Sequence, residues 1–82
     1  MDKLIGKYAL GIVDGKKVGG YVRGADILDN GLLDLEMTTD ILDASLFESI
    51  ENADKIGTTL EKAINAKLAI VRITEKYIKE RY

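Results

Sequence analysis

The chain has 82 residues, no cysteine, no histidine and a net charge of −2. These counts exclude a disulfide framework and a thiolate metal site, and they remove the usual general base and the commonest neutral metal ligand. The length predicts one domain over residues 1–82, and the apolar content of 46% predicts a folded chain.

Charge is distributed unevenly along the chain. Residues 1–25 carry five bases against two acids, and residues 55–82 carry seven bases against three acids. Residues 26–54 carry nine acids and no base. The chain therefore has a strongly acidic middle between two basic ends.

A β-hairpin is the first predicted element. Residues 8–13 and 17–22 flank Asp14-Gly15, which is a strong hairpin signal. Two-residue and three-residue loops both fit, and we favour three residues with a glycine bulge, because this register collects the apolar side chains on one face. Those side chains are Tyr8, Leu10, Ile12, Val18 and Val22. Three glycines are unfavourable inside strands and indicate a bulge or the close approach of another backbone: Gly11, Gly19 and Gly20.

The middle of the chain predicts a connection, a strand and a turn. Residues 24–31 are rich in turn formers and predict the connection. Residues 32–37 alternate between apolar and acidic side chains, which predicts a half-buried strand with Leu33, Leu35 and Met37 on one side. Residues 38–47 predict a turn through Thr39-Asp40 and a short extended piece that ends in Leu46-Phe47.

An amphipathic helix is predicted next. Ser49 fits an N-cap, and Glu51 lies in the first turn, where the helix dipole favours an anion. The helix should end near Ala66, with Gly57 weakening its middle. Apolar residues follow helical spacing along it: Ile50, Ala53, Ile56, Leu60, Ala63 and Ile64.

A strand and a short helix complete the predicted fold. Residues 68–74 form a β-branched run whose apolar character predicts a central strand. The charged tail, residues 75–82, predicts a short helix with Tyr77 and Ile78 on one side. The order hairpin, strand, helix, strand predicts an α+β fold, with an antiparallel or mixed sheet of about four strands and one helix packed on one face.

Six carboxylates of the acidic middle are the candidate partner-binding residues: Asp26, Asp29, Asp34, Glu36, Asp40 and Asp43. Carboxylates a few ångströms apart can stand in for phosphates. An uncompensated acidic surface also attracts the basic groove of a nucleic-acid-handling protein. The alternative is a solvated acidic face that keeps the protein soluble.

Other chemistries fit the sequence less well. The acids lack the pattern of a calcium loop, and a catalytic carboxylate pair requires a cleft that a domain of this size rarely has. The hairpin glycines lack the spacing and helix of a phosphate loop. The basic ends and four tyrosines suggest nucleic-acid binding, but a pI near 5.0 opposes it. We therefore expect no enzyme activity, cofactor, metal or direct nucleic-acid contact.

Two segments, DASLFESIENA at residues 43–53 and KYALGIVDGKKVGG at residues 7–20, together resemble small bacteriophage accessory proteins, a class that includes phage-encoded anti-defence and anti-CRISPR inhibitors. Residues 43–53, DASLFESIENA, resemble the "D-A-x-L-F-x-S-x-E-x-A" step before the helix in those proteins. Residues 7–20 match their hairpin, "K-Y-x-L…D-G-K-x-x-G-G". The resemblance implies that Leu46 and Phe47 seed the core and that Ser49 caps the helix, and it carries no catalytic residue.

These observations together predict a phage-type accessory protein that binds and inhibits a host defence or nucleic-acid-processing protein through its acidic surface. Because no apolar run reaches the ~20 residues of a membrane span and residues 1–7 lack a signal-like stretch, we expect the host cytoplasm and no membrane partner. The alternative function is a self-associating structural or regulatory module that acts through its sheet edge, and a homodimer fits that alternative.

Overall fold

The structure is a computed structural model that describes residues 2–27, 29–30 and 33–81. Its strands and helices are β1 (Tyr8–Asp14), β2 (Lys17–Ile27), β3 (Leu33–Thr38), α1 (Ile50–Ile64), β4 (Leu68–Arg72) and α2 (Glu75–Arg81). The four strands form one antiparallel sheet in the order β3-β2-β1-β4, and α1 packs on one face over β1 and β4. The predicted α+β fold, with four strands and a helix across one face, is confirmed.

The hairpin between β1 and β2 has a shorter loop than predicted. Asp14 lies opposite Lys17, so the loop contains two residues, and its Gly15 has a φ of 66°. The glycine bulge occurs inside β2 instead, where Gly19 is the extra residue between two pairs of the ladder. Val22 joins Leu10 beneath α1 as expected. Placing Val18 on that face was wrong, because the bulge turns its side chain to the opposite face.

Strand β2 extends further than the sequence suggested. The predicted connection over residues 24–31 is wrong for residues 24–27, which pair with β3 and so satisfy their backbone groups. Leu28, Gly31 and Leu32 of the predicted segments lie outside the described residues. A second bulge at Arg23 interrupts the β2–β3 ladder between Val22 and Gly24.

The segment between β3 and α1 folds into a turn and a 3₁₀ helix. A bend at Thr39 precedes the helix Ile41–Asp43, and Asp40 caps that helix by accepting a hydrogen bond from the Leu42 amide at 3.0 Å. The predicted extended piece is therefore shorter than expected. Its end is nevertheless extended, because Phe47 and Tyr8 exchange two backbone hydrogen bonds of 2.8 and 2.9 Å.

Helix α1 has the predicted N-cap and a left-handed C-cap. The Ser49 hydroxyl accepts a hydrogen bond from the Asn52 amide at 3.2 Å, and Asn65 ends the helix at a φ of 53°. Gly57 lies on the buried side, where a Cβ atom would lie 3.2 Å from Leu10 Cδ2. The glycine that weakens the helix therefore lets it approach β1 closely.

Strand β4 is an edge strand, so its predicted central position was wrong. The strand is apolar along most of its length because both of its faces are covered by other parts of the chain. Leu68 and Ile70 pack beneath α1, whereas Val71 packs in a second cluster on the opposite face. That second cluster is centred on Ala9, Ile41 and Ile73, and α2 contributes Tyr77 to it.

Candidate protein-binding surface

Three carboxylates share one face of the β2–β3 pair, and we call them the acidic strip: Asp26, Asp34 and Glu36. Asp26 lies directly opposite Asp34, and Glu36 lies opposite Gly24. The Glu36 carboxylate covers that glycine, since a Cβ atom there would lie 3.7 Å from Glu36 Oε2. All three side chains are exposed.

The alternation of β3 places the strip on the face opposite α1. Leu33 and Leu35 pack against the cluster beneath α1, so the intervening Asp34 and Glu36 point away from it. The bulge at Arg23 then sets the register that brings Asp26 opposite Asp34. Like charges directly opposite each other destabilise a sheet, so the arrangement is not explained by folding stability.

Within the described part of the chain, no basic group lies within 4 Å of a strip carboxylate. The ion pairs present join other residues: Lys7–Glu48 at 3.7 Å, Arg23–Asp43 at 3.5 Å and Lys79–Glu75 at 3.7 Å. The strip therefore presents uncompensated negative charge to the solvent.

The other three predicted contact residues have different surroundings. Asp29 is exposed in the turn that follows β2. Asp40 is occupied as the cap of the 3₁₀ helix, and Asp43 pairs with Arg23. The structure thus brings three of the six carboxylates onto one face, and places Asp40 and Asp43 in local structural contacts.

Two open concavities flank the β2–β3 pair. One, of about 440 Å³, lies near the hairpin loop, and Asp14 is the one ionisable residue among the described residues that line it. The second, of about 420 Å³, lies between α1 and the helix-side face of β2 and β3, and we call it the α1 groove. The sequence assigned Ile56 to the buried side of α1, but it stands at the rim of this groove and is 42% exposed.

Sequence reasoning missed the α1 groove as a possible binding surface. A readable signal was present, because Asn52, Ile56, Thr59 and Ala63 follow helical spacing and none of them is charged. The spacing of Ile56 and Ala63 predicts that both face the core, because spacing alone does not show where the sheet beneath the helix ends.

Among the described residues, no three or more carboxylates are grouped so that they could hold a metal ion. Within residues 33–81 neither α1 nor α2 has the length and apolar character that a bilayer-spanning helix requires. Comparison with known proteins finds no matching family model, no matching curated protein and no matching solved structure.

Proposed function

We propose that this protein binds another protein through the acidic strip and that the partner contributes a lysine- and arginine-rich surface made for nucleic acid. The observation that supports the proposal is the direct opposition of Asp26 and Asp34, exposed and without a basic neighbour within 4 Å among the described residues. Arginine pairs with carboxylate and phosphate in the same bidentate geometry, so a phosphate-binding groove accepts such a strip.

The spacing of the strip suits several cations at once. Opposed residues of antiparallel strands place their Cβ atoms about 5 Å apart, and residues two apart along a strand are separated by about 7 Å. Two or three guanidinium or ammonium groups can therefore each contact a different carboxylate. The repulsion between Asp26 and Asp34 in the free protein is relieved in such a complex, and the field of the strip accelerates encounter with a basic surface.

The resemblance to phage accessory proteins makes the partner a host defence or nucleic-acid-processing protein in the host cytoplasm. Occupation of its basic groove would exclude nucleic acid and so inhibit it. In this proposal the protein acts by competition, without catalysis, cofactor or direct contact with nucleic acid.

The test is a pull-down from bacterial lysate at low and at high salt, followed by mass spectrometry. The test variant reverses two strip charges, Asp34→Lys with Glu36→Lys. The control reverses two exposed charges on α1, Glu51→Lys with Asp54→Lys, and so changes net charge equally. We expect a basic protein that salt releases, that the strip variant fails to retain and that the control retains.

Equal retention by both variants, or a partner that high salt does not release, would contradict the proposal. Nucleic acid of a length recognised by the retained protein should also displace it. If nucleic acid did not displace the retained protein, the strip would bind a surface of the partner other than its nucleic-acid-binding groove.

Self-association through a sheet edge remains the alternative function. The acidic residues of β3 disfavour that edge of the sheet and leave β4 as the favoured one. If two copies paired through β3, Asp34 and Glu36 of one copy would face the same acids of the other, which is unfavourable. Strand β4 offers an uncharged edge over most of its length, LAIVR. A strand-addition contact there would change little with salt.

A further inference from the structure

The α1 groove exists because α1 packs more closely on one half of the sheet than on the other. The helix packs over β1 and β4, and on its other side an open groove separates it from β2 and β3. Val22 and Leu33 form the floor of the groove, with Phe47 and Leu60 on its inner side and Ile56 and Ala63 along the helix. Met37 continues this apolar face along β3 and is 38% exposed.

The polar atoms that line the groove are already hydrogen bonded within the chain. The Thr59 hydroxyl donates to the Lys55 carbonyl at 3.1 Å, and the Ser45 hydroxyl donates to the Arg23 carbonyl. Among the described residues that line the groove, none has an ionisable side chain. Its occupant must therefore be apolar, and it differs in chemistry from the basic partner of the acidic strip.

The two flanks of α1 differ in charge. On the groove side, Asn52, Ile56, Thr59 and Ala63 form an uncharged row along the whole helix. The other flank carries Asp54 and Glu61, and Glu61 accepts a hydrogen bond from the Leu68 amide at 2.9 Å. An uncharged helix flank beside an apolar sheet face is typical of the centre of a protein interface.

The exposed area of the chain is large for its mass. The accessible surface is 5827 Å², whereas a compact monomer of 9.0 kDa exposes about 4,850 Å². The radius of gyration is 12.9 Å, against about 11.7 Å for a compact domain of this length. The whole chain therefore has about 1,000 Å² of surface beyond that of a compact monomer, which is enough to supply the ~800 Å² that each partner contributes to a stable interface.

We propose that the α1 groove is the interface with a second copy of this chain, in an isologous dimer. In this arrangement Ile56 of each copy packs into the groove of the other, and the uncharged rows of the two helices face each other. A second copy supplies the apolar surface that the groove requires, and its burial enlarges a core that is small in the single chain.

The dimer leaves both acidic strips exposed, because the strip and the groove lie on opposite faces of the same two strands. The assembled protein therefore presents two strips and can engage two basic sites with increased avidity. The proposed dimer does not depend on the function of the strip, and it uses the sheet face instead of the sheet edge.

The test is the mass of the protein in solution by sedimentation equilibrium. We expect twice the chain mass of 9.0 kDa for the natural protein. Ile56→Glu and Ala63→Glu place a charge in the interface and should each weaken dimerisation by at least about tenfold. Ile50→Glu is the matched control, since Ile50 is on the same helix and 49% exposed but does not line the groove. It should leave the dimer intact.

Circular dichroism of each variant shows whether its fold is retained, and Ala63→Glu keeps the test valid if Ile56→Glu unfolds. A monomeric natural protein overturns the proposal. A dimer that neither groove variant weakens also overturns it and assigns the contact to a sheet edge. A monomer that binds the dye bis-ANS, with binding lost in Ala63→Glu, overturns it in favour of a small apolar ligand.

Discussion

Asp26 and Asp34 lie directly opposite each other in neighbouring antiparallel strands, so two carboxylates occupy one exposed position of the β2–β3 ladder. A sheet optimised for stability would place a base or a β-branched residue at one of these positions. The electrostatic repulsion between the two carboxylates lowers stability locally, and it is relieved when a bound partner supplies cations. This relationship predicts that stability and partner binding respond in opposite directions to one substitution.

Asp34→Lys should stabilise the free protein and weaken its binding to a partner. The lysine converts a repulsive cross-strand pair into an attractive one, which raises the free energy of unfolding by about 0.2–1 kcal/mol. Urea denaturation at low salt measures the change. The control is Glu36→Lys, because Glu36 lies on the same strand and the same face as Asp34 but opposite Gly24, which carries no charge. A stabilisation at Glu36 equal to that at Asp34 would show that net charge, and not the opposed pair, is responsible.

The predictable part of the fold is the part encoded by local patterns. The Ser49 cap, the alternation of β3 and the apolar run of β4 each specify an element within a few residues, and all three are present in the structure. The edge position of β4 was not predictable from its composition. A strand covered by α1 on one face and by a second cluster on the other has the same apolar composition as a central strand.

The candidate surface was only partly predictable, because it depends on register. Alternation alone places Asp34 and Glu36 on one face of β3. The position of Asp26 opposite Asp34 depends on the bulge at Arg23, which no short-range signal marks. The glycines of β2 do indicate a bulge, and the structure has one at Gly19. The same glycines fit a bulge in the loop as well as one inside the strand, so they do not predict its position.

Gly11→Ala should destabilise the protein by about 1–3 kcal/mol, because it overfills a tightly packed site. A Cβ atom at this position would lie 2.5 Å from Val18 Cγ1. Gly20→Ala is the control on the adjacent strand, where the nearest atoms are the Thr38 carbonyl oxygen at 3.5 Å and Met37 Cε at 3.7 Å. It should be neutral or stabilising, since glycine weakens a strand interior.

A double variant identifies the cause of the Gly11 effect. Shortening the opposing side chain in Gly11→Ala with Val18→Ala should recover part of the lost stability, and the two changes should be non-additive in urea denaturation. If the two changes in unfolding free energy were additive, contact with the Val18 side chain would not be the reason that Gly11→Ala is unfavourable.

Tyr21 should make the stability of the protein decrease at alkaline pH. Burial raises the pKa of its hydroxyl above the ordinary value of 10.0, and the neighbouring Tyr77 raises it further. In the unfolded chain this hydroxyl loses its proton near pH 10, whereas in the native state it keeps the proton to a higher pH. Between these two pKa values the native state binds more protons, so the free energy of unfolding falls as the pH rises.

Tyr21→Phe removes this titration, so comparison of the two proteins isolates the contribution of Tyr21 to the pH dependence of stability. The difference in unfolding free energy between the natural protein and Tyr21→Phe should be constant from pH 7 to about pH 9, where the tyrosine is protonated in both states. Above about pH 10 the natural protein should lose stability faster than the variant. Urea denaturation at each pH measures the two curves, and curves that remain parallel to pH 11 would show that Tyr21 is as accessible to water in the native state as in the unfolded chain.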